Sequence, residues 1–206
     1  MQLQECSLIS LDLETNGLSP NNSEILEIGL IEFSKSQILN TFNTYIRPKV
    51  IQNLAFSING ITEDMLKKAP TLEEISKDLS SYLLNKPLII QNAEFDLSFL
   101  LKENSIQDGF TNQTPVYCTV QFARKYFPEL KSYSLANLRK EFQISDYQKH
   151  REGNAHEAID DCYAAMKVFI ECANKGELWK KDYLNIAYHQ KNLVTISDYR
   201  KKLIST

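Results

Sequence analysis

The chain has 206 residues, 43% hydrophobic and 24% charged, a balance that excludes a disordered chain, a fibre and a disulfide-stapled miniprotein. Its 23 Lys and Arg against 26 Asp and Glu give a net charge of −3, which argues against non-specific coating of nucleic acid. At about 150 residues per domain, one domain with an appendage is expected.

Ser7–Leu13 is short, apolar and ended by the turn signals Asn16-Gly17 and Ser19-Pro-Asn-Asn22, so it reads as a buried strand. Glu24–Phe33 and Ile38–Ile46 read as two more, with Lys35-Ser-Gln37 as a tight hairpin between them. A short helical turn is predicted over Thr62–Lys68. Thr71 and Glu74 then form a capping box, and Leu72, Ile75, Leu79, Tyr82 and Leu83 keep helical spacing behind it. Pro87–Gln91 is a further buried strand, with Asn92 as the N-cap of a helix carrying Phe95, Phe99 and Leu100. Val116–Cys118 reads as the last strand, followed by helices near Thr119–Tyr126 and Ser134–Phe142. A long helix over about Ala155–Asn174 puts Ala158, Cys162, Ala165, Met166, Phe169 and Ala173 on one core-facing stripe. Three strands followed by alternating strands and helices predict a mixed α/β sheet.

Residues 121–151 carry seven Lys and Arg against three acids, as do residues 175–206, so the acids concentrate elsewhere. No apolar run approaches the ~20 residues of a membrane span, and residues 1–10 lack a basic start and an apolar centre. A cytoplasmic protein with no membrane partner is therefore expected. The four cysteines form no CxxC pair and no zinc spacing. Cys162 and Cys172 would lie about 15 Å apart along a helix, too far for a disulfide.

Three segments carry acids in positions that ask for a reason. On a strand, Asp12 and Glu14 share one face while Leu11 and Leu13 share the other. Two carboxylates on one face of an apolar strand raise each other's pKa or require a cation. In Asn92-Ala-Glu94-Phe95-Asp96, the acids suit the first turn of a helix. In His156-Glu-Ala158-Ile-Asp160-Asp161, regular helical geometry pairs His156 with Asp160, whereas Asp161 adjoins the inward stripe. The physics of spacing leaves the choice between the two aspartates open.

Taken together and in order, these segments resemble the DEDDh family of 3′–5′ exonucleases, which includes the proofreading epsilon subunit of bacterial DNA polymerase III. The carriers are Asp12-Leu-Glu14-Thr15-Asn-Gly17, Asn92-Ala-Glu-Phe95-Asp96 and His156-Glu-Ala158-Ile-Asp-Asp161, and this last register selects Asp161. The resemblance extends to Arg47-Pro48…Ile58-Asn59-Gly60, Phe122–Pro128 and Ser134–Leu138. Gln91, Asn59, Cys118 and Asn16 depart from common family choices, all outside the five acid and His positions.

The resemblance implies a ribonuclease H-like α/β fold with a mixed five-stranded sheet flanked by helices. It assigns residues 1–174 to an exonuclease domain and leaves 175–206 as a basic, helical C-terminal tail. It also implies two divalent cations, Mg²⁺ or Mn²⁺, about 3.5–4 Å apart, held by Asp12, Glu14, Asp96 and Asp161. Asp12 would bridge them, Glu14 and Asp161 would hold the ion carrying the nucleophile, and Asp96 would support the second. His156 would be the general base, since an imidazole pKa near ~6.5 suits proton removal at neutral pH. Thr15, Gly17, Leu18, Asn92 and Phe95 would surround the terminal nucleotide, with Phe95 either stacking on a base or belonging to the core. Arg124, Lys125, Arg139, Lys149 and Arg151 would line the approach of the strand.

The expected activity is release of nucleoside 5′-monophosphates from a single-stranded 3′ end, of DNA in a proofreading or repair role. An RNA-trimming or short-oligonucleotide exoribonuclease is the alternative. A non-catalytic polymerase-associated subunit is the rival of another class, with the tail as its contact to a DNA polymerase subunit. Gln190–Val194 loosely resembles a clamp-binding peptide but lacks the terminal aromatic.

Overall fold

A computed structural model describes residues 1–49, 59–147, 156–187 and 195–205. Strand β1 (Leu8–Thr15) lies in the middle of a five-stranded sheet of order β3-β2-β1-β4-β5. Its position follows from composition: Leu8, Ile9 and Leu11 are fully buried, which requires cover on both faces. β2 (Ile25–Ser34) and β3 (Gln37–Tyr45) add antiparallel on one side; β4 (Leu88–Ile90) and β5 (Val116–Cys118) add parallel on the other. The β2–β3 hairpin closes through Lys35 and Ser36, with Lys35 at φ 53°, in the left-handed region that tight hairpins require.

The helices are α1 (Glu63–Lys67), α2 (Leu72–Leu83), α3 (Glu94–Leu100), α4 (Thr119–Tyr126), α5 (Leu135–Glu141), α6 (Ala158–Lys175), α7 (Tyr183–Ala187) and α8 (Ile196–Ser205). The Thr71–Glu74 capping box forms: Glu74 N–H donates to Thr71 Oγ1 at 3.3 Å and Thr71 N–H to Glu74 Oε2 at 2.6 Å. On one sheet face α6 lays its stripe of Cys162, Met166, Phe169 and Ala173 against Leu8, Ile31, Phe33 and Ile89. On the other, Leu79 and Leu83 of α2 and Leu97 and Leu100 of α3 meet Ile9, Leu11, Leu30 and Ile90. All four cysteines are buried free thiols.

Two local expectations change. Asn92 is not the N-cap of α3. It precedes Ala93, which occupies that position, and adopts φ 53°, a left-handed turn that asparagine tolerates between β4 and α3. The long helix starts at Ala158, leaving His156 outside it.

Residues after α6 fold back. Leu3 and Gln4 N–H donate to the carbonyls of Lys181 and Trp179, both at 2.9 Å. Leu178, Ile186 and Ala187 join the α6-side core, and Ile196 and Tyr199 of α8 join the opposite one. Lys202 of α8 pairs with Glu94 of α3 at 2.6 Å. The clamp-like stretch 190–194, together with Ile58, Lys149 and Arg151, lies outside the described residues. Among those described, no helix is long and apolar enough to cross a membrane.

Candidate active site

Strand alternation turns Leu11 and Leu13 into the α2–α3 core and Asp12 and Glu14 toward the side covered by α6. Asp12 is opposite Gly29 of β2. A Cβ at Gly29 would stand 2.5 Å from the carbonyl carbon of Ala158, so the first turn of α6 rests directly on the β2 backbone. That close approach carries Asp161 to the end of β1. Glu27, opposite Glu14 and only 1% exposed, fixes the seat: its Oε2 accepts from Ala158 N–H at 3.4 Å and its Oε1 from Asn43 Nδ2 at 3.1 Å.

Asp96 arrives from the first turn of α3. β4 pairs with β1 only from Ile9 to Leu11, so the N–H of Leu13 has no strand partner there, and Asp96 Oδ1 accepts it at 3.1 Å. His156 stands just before α6 and places Nδ1 2.9 Å from Asp161 Oδ2. Ligand atoms of Glu14, His156 and Asp161 lie within 4.8 Å of one another. The helical pairing of His156 with Asp160 does not form, because His156 precedes the helix. Asp160 turns away, accepting from Tyr147 N–H at 2.5 Å and from Arg139 Nη2 at 2.6 Å.

The electrostatics of Asp12 and Asp96 are unfavourable among the carboxylates around them. Burial first, then the charges of Asp96, Asp161, Glu14 and Glu27, push the Asp12 carboxyl well above its ordinary range, although its own surface is partly open. Asp96 is raised in the same direction, chiefly by burial, against hydrogen bonds from its own and the Leu13 N–H. The carboxylate oxygens of Asp12, Glu14, Asp96 and Asp161 are the donor chemistry of a hard divalent cation, so these residues fit one.

The other predicted residues divide into two groups. Thr15 Oγ1 donates to Gly17 carbonyl at 2.7 Å, and a Cβ on Gly17 would meet Ser23 Oγ at 2.4 Å, so this pair shapes the turn that leaves Leu18 87% exposed. Asn92 and half-buried Phe95 line a groove of about 810 Å³ with Pro20, Asn21 and Lys102, walled by Tyr199 and Lys202 of α8. The Phe95 ring also lies 5.2 Å from that of Phe99. Of the basic residues expected along the strand's approach, the three among the described residues are otherwise engaged. Arg124 lies over the Tyr133 ring at 5.5 Å and Lys125 over Tyr126 at 5.8 Å. Arg139 is an inward ion pair rather than a surface contact.

Reading the sequence missed Glu27 and Gly29. Their signal was a Glu and a Gly two apart inside the apolar run Ile25–Phe33, which marks a close backbone approach rather than an ordinary strand.

A mixed sheet with a long helix across β1 and β2, and carboxylates converging from β1, α3 and α6, is the arrangement of ribonuclease H-like nucleases. The Exonuclease family matches residues 9–169, and the chain belongs to it. It is 36% identical over 175 residues to DNA polymerase III subunit epsilon of Buchnera aphidicola subsp. Schizaphis graminum, covering 79% of this chain and 72% of that protein. It is 32% identical over 172 residues to DNA polymerase III PolC-type of Caldanaerobacter subterraneus subsp. tengcongensis, covering 83% of this chain; the match spans just 12% of that relative's length. A solved structure of Exonuclease X in complex with 5′ overhanging duplex DNA is 26% identical, with a TM-score of 0.67, covering 87% of this chain and 98% of that one. Dependence on divalent metal ions is a property of the family.

Proposed function

We propose that the chain is a 3′–5′ exonuclease that hydrolyses the terminal phosphodiester of DNA and releases nucleoside 5′-monophosphates. The observation that carries this reading is the convergence of Asp12, Glu14, Asp96 and Asp161 with His156 at the end of β1. Asp12, Glu14, Asp96 and Asp161 are the residues to hold two Mg²⁺ or Mn²⁺ ions. When bound, such ions neutralise charge on the attacking and leaving oxygens.

The protein's own part is positional. Asp161 Oδ2 accepts the Nδ1 hydrogen of His156 and so leaves Nε2 as the basic nitrogen of the ring. His156, exposed at 58% of its side chain, takes a proton from the attacking water as that oxygen bonds to phosphorus. The bond from phosphorus to the 3′ oxygen of the preceding nucleotide breaks, and that oxygen leaves with a proton from solvent. Leu13 N–H holds Asp96 at its station. Asn92 and Phe95, on the wall of the adjoining groove, are the residues to contact the terminal nucleotide, with Thr15, Gly17 and Leu18 on the facing turn.

DNA as substrate and a polymerase as partner are supported by the names of the two polymerase relatives and by the DNA-bound Exonuclease X structure. The test is single-turnover digestion of 3′-labelled single-stranded DNA and matched RNA with Mn²⁺, Mg²⁺ or EDTA, beside Asp12→Ala and His156→Ala. Metal-dependent mononucleotide release, faster on DNA and lost in both variants, is expected. Faster cleavage of RNA would reassign the substrate. No cleavage of either polymer by folded protein would overturn the enzyme reading.

A further inference from the structure

We infer that Arg139 is a positioning residue that turns Asp161 to face its cation and thereby sets the affinity of the site for divalent metal. The inference rests on the reading of Asp161 as a metal ligand. Arg139 comes from α5, a helix that contributes none of the predicted ligands, and its side chain is only 15% exposed. Nη2 lies 2.7 Å from the Asp160 carbonyl, 2.6 Å from Asp160 Oδ2 and 3.1 Å from Asp161 Oδ1. One guanidinium nitrogen therefore grips two successive residues of α6 in its first turn.

The two aspartates play different parts in this grip. Asp160 is buried, its side chain 7% exposed, with one oxygen on Arg139 and the other on the Tyr147 N–H at 2.5 Å, so it faces into the α5–α6 seam rather than toward Glu14 and His156. It serves as the buried anchor that locates the guanidinium. Asp161 is divided: Oδ1 is held by Arg139 and Oδ2 meets His156 Nδ1 at 2.9 Å. With Oδ1 occupied, the carboxylate cannot rotate about its terminal bond without losing a charge-assisted hydrogen bond. Oδ2 is the oxygen kept on the His156 side. A hydrogen bond to the non-ligating oxygen is how outer partners orient a metal-binding carboxylate.

Were the pair only a structural fastening, contact with Asp160 would suffice. Arg139 instead reaches past Asp160: among the described residues its buried Nη1 has no hydrogen-bond partner and pairs only loosely with the exposed Asp146, at 3.5 Å. The charge of Arg139 opposes a cation, while the orientation it imposes favours one. Orientation is expected to win, because outer partners of ligands typically contribute about 10–100-fold in metal affinity.

The experiment titrates Mn²⁺ into the full chain without nucleic acid, by calorimetry and by the electron paramagnetic resonance of free Mn²⁺. Melting in EDTA checks that each variant folds. In Arg139→Gln with Asp160→Asn, which removes the buried pair without stranding a charge, Mn²⁺ affinity is expected to fall about tenfold. Asp160→Asn alone keeps the Arg139 contact to Asp161 and is expected to stay within about twofold of wild type, well short of the outer-partner range. Arg139→Lys retains the charge but replaces the planar fork by a single ammonium, and is expected to lose affinity as well; it keeps the test open should the double variant not fold. Wild-type or tighter affinity in the double variant, or full affinity in Arg139→Lys, would overturn the assignment of Arg139. A wild-type protein that binds no Mn²⁺ would instead overturn the metal-site reading itself.

Discussion

Two acidic places lie side by side in this protein, and they meet burial in opposite ways. At the α5–α6 seam, Asp160 is buried with the Arg139 guanidinium and the Tyr147 N–H against it. At the end of β1, Asp12 and Asp96 are enclosed among further carboxylates, and both are held well above the ordinary carboxylate range. Asp160 is raised too, by burial, but Tyr147 and Arg139 pull it back. The seam carries its counter-charge in Arg139; at the end of β1 the groups that act on Asp12 are further carboxylates. Acid count alone does not distinguish a fastening from a binding site. The location of the compensating cation does.

The largest effects should come from removing that imbalance. Asp12→Ala should lower single-turnover cleavage on the order of 10³-fold, the scale of losing a preorganised electrostatic partner. The same position should show the opposite sign in stability. A carboxyl raised by folding contributes stability fully present below its unfolded pKa of about 3.9 and lost as pH rises through the raised value. Metal-free protein should thus melt lower at pH 8 than at pH 5, and Asp12→Asn should reduce that difference. A wild-type melting temperature flat in pH would refute the comparison.

Supplying a divalent cation is the next test. Mn²⁺ at a hundred times its dissociation constant should stabilise the fold by about 2.7 kcal/mol, measured as a rise in melting temperature reversed by EDTA. Asp12→Asn should diminish the rise. Gly29→Ala attacks the geometry instead: its Cβ would press on the Ala158 backbone at 2.5 Å and lift α6 off β2. A loss of about 1–3 kcal/mol in chemical denaturation is expected, with cleavage reduced further than stability explains. Thr71→Ala is the distant control. Losing this cap should cost about 1 kcal/mol and leave cleavage unchanged. Glu74, lowered by its hydrogen bonds from Thr71, stabilises the fold above its unfolded pKa of about 4.3, and that contribution is lost as pH falls through the lowered value.

Much of this was legible from local pattern. Alternation in β1 put Asp12 and Glu14 on one face, the Thr71 box opened α2, and the stripe from Ala158 to Ala173 faces the sheet, because each depends on spacing within one element. What escaped depends on two elements meeting. The choice of Asp161 over Asp160 came from family resemblance, since spacing could not place Arg139 beside them. Arg139 itself reads as a surface base until α5 is packed on α6. Asn92 looked like a helix cap, but the turn out of β4 takes it into the left-handed region one residue too early.

The short reach of β4 has a spectroscopic consequence. Because β4 stops pairing with β1 at Leu11, the Leu13 amide proton points at a side-chain carboxylate instead of a neighbouring strand. Its resonance is therefore a built-in probe of the charge on Asp96. In a two-dimensional amide spectrum, that peak should move when a divalent ion is titrated in, while amides bonded within the β2–β3 hairpin should barely shift. One backbone proton would then report the state of a carboxylate that has no chromophore of its own.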